Sequence, residues 1–218
     1  MDRRHFLGNS VAAGAAVTGI STVAQAASGK PVTILGIACS PRKGKTTSTS
    51  VAIALKAAEQ VNSSIQTELI DLGGMIIPGW NGTGKFAEDD FPIILPKLKD
   101  PNLGGLIIGS PCYFRNMSSL CMSFLERLGA LRKPKLLLAS KVVGVLSVGG
   151  YRHGGQELVI QQIQAGMLCH EAVLVGGKPG AHQGATLWNA YKDDITKDEF
   201  GVATAKQLGT RVAEAVLA

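Results

Sequence analysis

The segment Val32-Thr33-Ile34-Leu35-Gly36-Ile37-Ala38 is apolar at almost every position and rich in β-branched residues. It runs into Cys39-Ser40-Pro41-Arg42-Lys43-Gly44-Lys45 and then into an Ala-rich stretch of helical spacing at 46–61. A strand that is apolar on both faces has to be covered on both faces, as strands are in parallel sheets flanked by helices. The pattern recurs along the chain. Residues 103–109 and 141–148 are further buried-strand candidates, 172–175 is a short one, and 65–72 alternates partly, which predicts a strand nearer an edge. Helical spacing at 91–98, 118–131, 158–169 and 199–217 supplies the covering layers. Five strands alternating with helices predict an α/β fold with a parallel, doubly wound sheet in three layers.

Ligands of such sheets sit beyond the carboxyl ends of the strands, and Gly-rich loops follow the first, third and fourth strands here. The first loop leads into a helix N-terminus, where free N–H groups and the positive end of the helix dipole attract an anion. Arg42, Lys43 and Lys45 add charge, and Ser40, Thr46, Thr47 and Ser48 add hydroxyls, so the loop reads as a phosphate cradle. Gly44-Lys45-Thr46 resembles the end of a G-x-x-x-x-G-K-[ST] loop, but the position of its first glycine is Cys39, which argues against nucleoside triphosphate hydrolysis. The first turn also lacks the G-x-G-x-x-G of dinucleotide folds.

The 218 residues, 45% hydrophobic and 17% charged, suffice for one core and are too few for two ordinary domains. A net charge of +6 could draw nucleic acid, lipid or small anions, but the few aromatics are not interleaved with basic residues and no helix carries a basic stripe. Nucleic acid is therefore not the expected partner. Cys39, Cys112, Cys121 and Cys169 form no C-x-x-C pair, which argues against a zinc, iron–sulfur or dithiol site, and three of them sit in or beside apolar runs, which predicts buried, inert thiols. Arg3-Arg4, then Phe6-Leu7, an uncharged run and Ala24-Gln25-Ala26 have the layout of an export signal over 1–26, ahead of a domain at 30–218. The paired arginines resemble the twin-arginine motif, which implies the twin-arginine translocase as a partner and a periplasmic or otherwise exported product. The run is too poor in Leu for stable membrane insertion.

Three segments together carry a family resemblance. Residues 35–47 resemble the first loop of the NAD(P)H-dependent flavin mononucleotide (FMN) reductases and iron–sulfur flavoproteins. Ile108-Gly109-Ser110-Pro111-Cys112-Tyr113-Phe114-Arg115-Asn116-Met117-Ser118 resembles their second loop, and Gly149-Gly150-Tyr151 through Gly155-Gln156-Glu157 their third. The resemblance implies a flavodoxin-like domain of strand order 2-1-3-4-5 that binds FMN. Ser40, Arg42, Thr46 and Thr47, with Lys45 as an added cation, would hold the phosphate. Pro111, Cys112, Tyr113, Phe114, Asn116 and Met117 would line the isoalloxazine, and Gly149, Gly150 and Tyr151 would close its other side. Cys39, Lys45 and Thr46 depart from the family pattern. The stretch 73–90 has no cysteine where the iron–sulfur branch carries its ligands, so no iron–sulfur cluster is expected. The implied activity is oxidoreduction, with NAD(P)H or another donor and a small acceptor such as a quinone, a free flavin or a metal oxyanion. No protein residue is expected to act as a catalytic acid or base. An electron carrier and a non-catalytic flavin-binding module are the rival readings. Family members commonly pair, so a homodimer or homotetramer is expected, with Trp80 and 73–90 as the expected contact.

Overall fold

A computed structural model describes residues 30–190 and 192–218 of the protein; the export signal read at 1–26 lies outside the described residues. The chain order is β1 (Val32–Ala38), α1 (Thr46–Glu59), β2 (Ile65–Asp71), α2 (Phe91–Leu98), β3 (Leu103–Tyr113), β4 (Asn116–Met117), α3 (Ser119–Arg127), β5 (Val142–Gly149), α4 (Gln156–Leu168), β6 (Val173–Leu174), β7 (Ala185–Trp188) and α5 (Glu199–Leu217). The sheet path β2-β1-β3-β5-β6 is parallel throughout. Its order corresponds to the expected 2-1-3-4-5.

Every residue of β5 is buried, and β1 is buried from Ile34 to Ala38, as a sheet covered on two faces demands. One core layer packs Leu35, Ile37, Leu106, Ile108, Val143 and Val145 under α2, α3 and α4. The other packs Ile34, Ile107, Leu146 and Val148 under α1 and α5. Helix α2 takes Pro92 in its first turn, where an N–H has no intrahelical partner to lose, and carries Pro96 in its last turn, where one intrahelical bond is given up.

The strand count differs from expectation. The fifth position is split: β6 pairs only Val142 and Val143 of β5, the chain then leaves the sheet, and β7 returns to pair Leu146 to Gly149. The short β4 is the return leg of a hairpin with the end of β3. β3 itself runs past the expected end at residue 109 through Pro111 to Tyr113. Pro111 faces Val148 in register, and the loss of its N–H is tolerated there beside the end of β5.

The stretch 73–90 holds no helix or strand, as its Gly-rich sequence predicts, and it is pinned to α3. Arg127 makes a two-pronged ion pair with Asp89 and lies 4.2 Å from the centre of the Phe86 ring, while the Trp80 amide donates to Glu126 at 2.7 Å. Among the described residues no helix is long and apolar enough to cross a membrane.

Candidate functional site

The strands β1, β3 and β5 end on one edge of the sheet, and the loops that follow them converge there. Hydrogen bonds lock the first two together: the Cys39 amide donates to the Gly109 carbonyl at 2.8 Å, and the Ser118 hydroxyl donates to the Cys39 carbonyl at 2.5 Å. Beyond Cys39 the chain turns around Asp71, at the end of β2. One oxygen of Asp71 accepts the Gly44 amide at 2.7 Å and the other the Gly73 amide at 2.9 Å. Gly44 has φ of +67°, a left-handed turn that a side chain would strain. The Ser40 hydroxyl accepts the Arg42 amide at 3.2 Å.

This turn delivers the chain to the start of α1 without a side-chain cap. The amides of Thr46, Thr47 and Ser48 and the hydroxyls of Thr46 and Thr47 find no partner among the described residues, although all three residues are buried. Donors left open at a helix start, with the dipole behind them, suit an oxyanion. Arg42 is not free. Its Nη1 donates to both oxygens of Asp193 at 2.9 Å, and Lys45 stands 3.8 Å from the same carboxylate. The hydrogen bond it donates to Asp193 holds the Arg42 guanidinium more firmly protonated, with a smaller contribution from Tyr113. In turn Asn189 and Arg42 hold the Asp193 carboxyl below its usual range.

The second loop is a two-residue hairpin. Cys112 pairs with Met117 and Tyr113 with Asn116, leaving Phe114 and Arg115 at the turn with φ of 51° and 64°. Turns of this kind ordinarily take Asn or Gly, so two bulky residues here store backbone strain. Phe114 is 99% exposed and Tyr113 41%, so aromatic surface stands out beside Arg42. Asn116 accepts from Gln162 at 3.0 Å and donates to the Phe114 carbonyl at 3.2 Å, which fixes the tip. Pro111 and Met117 are buried, and Met117 packs in the core rather than on the loop surface.

The third loop is built around Gln156, a residue 2% exposed. Its carbonyl accepts the Gly154 amide at 2.8 Å, and its amide donates to the carbonyls of Tyr151 at 2.6 Å and Leu187 at 3.2 Å. A Cβ on Gly149 would press within 2.6 Å of that side chain. The Trp188 indole donates to the Gly150 carbonyl at 3.1 Å, and Tyr151 is left 79% exposed. The Cys112 thiol donates to the Gly154 carbonyl at 3.2 Å, tying the second loop to the third, and burial pushes that thiol above its usual pKa.

All the residues read from the sequence as flavin contacts therefore lie in or beside three loops, of which the second is hydrogen-bonded to both the first and the third. Asp71, Asp193 and Ser118, which shape those loops, were not singled out by the sequence reading. Asp71 carried a local signal as an acidic residue near the end of the strand predicted at 65–72. Asp193 carried none, because it joins Arg42 across 151 positions of sequence.

A profile of the family described as NADPH-dependent FMN reductase matches residues 32–186, a span that holds all three loops. The chain belongs to the NADPH-dependent FMN reductase family. It is 36% identical over 191 residues to an iron-sulfur flavoprotein of Methanocaldococcus jannaschii, covering 84% of this chain and 96% of that one. Among solved structures it is similar to a flavone reductase (TM-score 0.63, 20% identity, 85% of this chain and 63% of that one). It is also similar to a WrbA-like flavodoxin from Agrobacterium tumefaciens (TM-score 0.61, 14% identity, 86% and 98%). The fold is thus flavodoxin-like, as expected.

Two cofactors are implied by these names, and the residues treat them differently. For FMN, the open amides and hydroxyls of α1 and the flanking cations fit a phosphate, and the exposed aromatics of the second and third loops fit a planar ring. For an iron–sulfur cluster they do not fit. Cys39 and Cys121 are buried side by side with the Cys39 thiol pushed well up by burial, Cys112 and Cys169 lie elsewhere, and no group of three metal-ligating side chains occurs among the described residues.

Proposed function

We propose that this member of the FMN reductase family is an exported FMN-dependent oxidoreductase that works without an iron–sulfur cluster. The observation that carries the flavin assignment is the start of α1: buried, uncapped, with its amides and two hydroxyls open and Arg42 and Lys45 alongside. Thr46, Thr47 and the α1 amides would bind the phosphate, with Arg42 turning from Asp193 to share it. Tyr113, Phe114 and Tyr151 would flank the ring and keep water from it. Asn116 and the backbone of the third loop would meet its polar edge. Bound FMN would supply the hydride and electron chemistry, and no protein acid or base is assigned to it.

The donor is NAD(P)H or, if the Arg3-Arg4 signal directs export, a reduced quinol at the membrane, since an exported protein is separated from the nicotinamide pool. The acceptor would be a quinone, a flavin or a metal oxyanion. The exposed Trp80 and the loop 73–90 are the proposed subunit contact of a homodimer or homotetramer.

Adding FMN to the purified protein should give one tightly bound flavin per chain, weakened strongly by T46V/T47V. Anaerobic titration of that complex with NADPH, NADH and a reduced quinol analogue then identifies the donor by the loss of visible flavin absorbance. A protein that takes up no flavin would sink the proposal.

A further inference from the structure

On the far side of the third loop lies a cavity of about 470 Å³ that none of the residues read as flavin contacts lines. It opens between the hairpin tip, the first turns of α4, the segment between β6 and β7, and the start of α5. Arg115 reaches it from the hairpin. Among the described residues the other arginines are all engaged: Arg42 with Asp193, Arg127 with Asp89, Arg132 with the Cys169 carbonyl, Arg152 with Asp198 and Arg211 with Glu214. Among the described residues the Arg115 guanidinium has neither hydrogen bond nor ion pair, and Arg115 itself sits at positive φ. Backbone strain that presents an unpaired cation to a cavity is the kind of feature that a bound ligand explains.

The other walls agree. His153 and His182 line the cavity from the third loop and from the β6–β7 segment, both exposed and both without side-chain partners among the described residues. Gln161 and Gln183 add amide donors. Arg152, although paired through Nη2 with Asp198 and stacked 5.5 Å from the Phe200 ring, keeps Nη1 buried with no acceptor among the described residues. Against these donors stands one acidic wall residue, Glu157. The volume is within the range of small-molecule pockets and far exceeds a bare ion, while Phe200 and Leu158 offer apolar surface.

We propose that this cavity is a second binding site, for a small organic oxyanion: a carboxylate or phosphate group on an apolar or planar body, with Arg115 as the principal anchor and His153 and His182 beside it. Because Arg115 and Gly155 belong to the loops assigned to the flavin, the occupant would lie next to the redox centre, as the anionic end of an electron donor or acceptor. That role rests on the flavin reading; the site itself does not.

The test is calorimetric titration of the full chain, saturated with FMN, with benzoate and with inorganic pyrophosphate in separate runs. At least one probe should bind. R115Q and H182Q should each weaken it by about tenfold, the scale of one charge-assisted hydrogen bond, whereas R42Q should leave it unchanged. Benzoate alone binding marks a carboxylate site, and pyrophosphate binding marks a phosphate site. Binding that survives both R115Q and H182Q, binding lost only in R42Q, or no binding of either probe would overturn the proposal. H182Q, on an exposed loop, covers the event that R115Q disturbs the hairpin. If the protein takes up no flavin, the same titrations in an R42Q background still decide the Arg115 site separately from the flavin reading.

Discussion

At the scale of single residues, Asp193 sets the electrostatics of the proposed phosphate cradle. It places a carboxylate on Arg42, the cation that a phosphate would otherwise attract, and it sits within 3.8 Å of Lys45 as well. A negative group beside a site for a dianion repels it, so Asp193 should act as a competitor for Arg42. D193N is expected to tighten FMN roughly two- to fivefold, a modest change because exposed ion pairs are weak, and to leave riboflavin, which has no phosphate, unaffected. Fluorescence quenching of the two flavins measures this directly. Equal effects on both, or weaker FMN binding, would assign Asp193 to shaping the loop instead. The pairing also has a pH sense: since the folded state lowers the Asp193 pKa, the contact is complete above the ordinary carboxylate range and is lost as pH falls through the lowered value. The cradle itself was legible because its cations and hydroxyls are contiguous in sequence. Its counter-charge was not, since no local pattern joins residue 193 to residue 42.

At the scale of elements, α1 has to present its start to the site, and what fixes α1 is its packing on α5. The two helices cross at Gly209, where a Cβ would lie 1.9 Å from the Ala54 carbonyl oxygen, a backbone atom in the middle of α1 that has no freedom to yield. Two effects of G209A oppose each other. Alanine in a helix interior is favoured over glycine by about 1 kcal/mol, while overpacking at a rigid contact costs about 1–3 kcal/mol and sometimes more. With a contact this close the second effect should win, so G209A should be net destabilising in urea unfolding and should weaken FMN binding by displacing α1. A stabilised G209A would show that the helices separate easily and that the crossing is not what positions the cradle. The run of strand, loop and helix was readable because fully apolar strands and amphipathic helices differ in period. The split of the fifth strand position was not. Residues 172–175 carry the apolar signal, but the edge beside Leu146 to Gly149 is closed by Ala185–Trp188, whose sequence has no comparable run. Nor did the apolar count show that β3 continues through Pro111, because a proline after a Ser reads as a turn until its neighbours along the sheet are known.

At the scale of the whole molecule, the groups that titrate against the fold separate into two pH windows. Arg127 lowers the Asp89 pKa, so the clamp on 73–90 contributes above the ordinary carboxylate range, near 3.9, and is lost only as pH falls through the lowered value. His170 acts in a higher window. It is buried just after α4, its Nδ1 has no partner among the described residues, and burial, helped by the charge of Arg132, lowers its pKa. The unfolded chain therefore binds a proton at this residue from about pH 6.5 downward while the folded chain still refuses it. Stability rises with pH wherever the unfolded state binds more protons. Hence His170 is neutral in sign above pH 7 and destabilising as pH falls between its unfolded and folded values, with a slope of at most about 1.4 kcal/mol per pH unit. Urea unfolding of the wild type should accordingly weaken between about pH 7.5 and pH 5.5, well before Asp89 is protonated. H170Q should flatten that part of the profile and leave the acid limb below about pH 4 unchanged. If H170Q and the wild type lose stability in parallel across the higher window, the proton uptake belongs to another group and His170 is accommodated in the fold in either charge state.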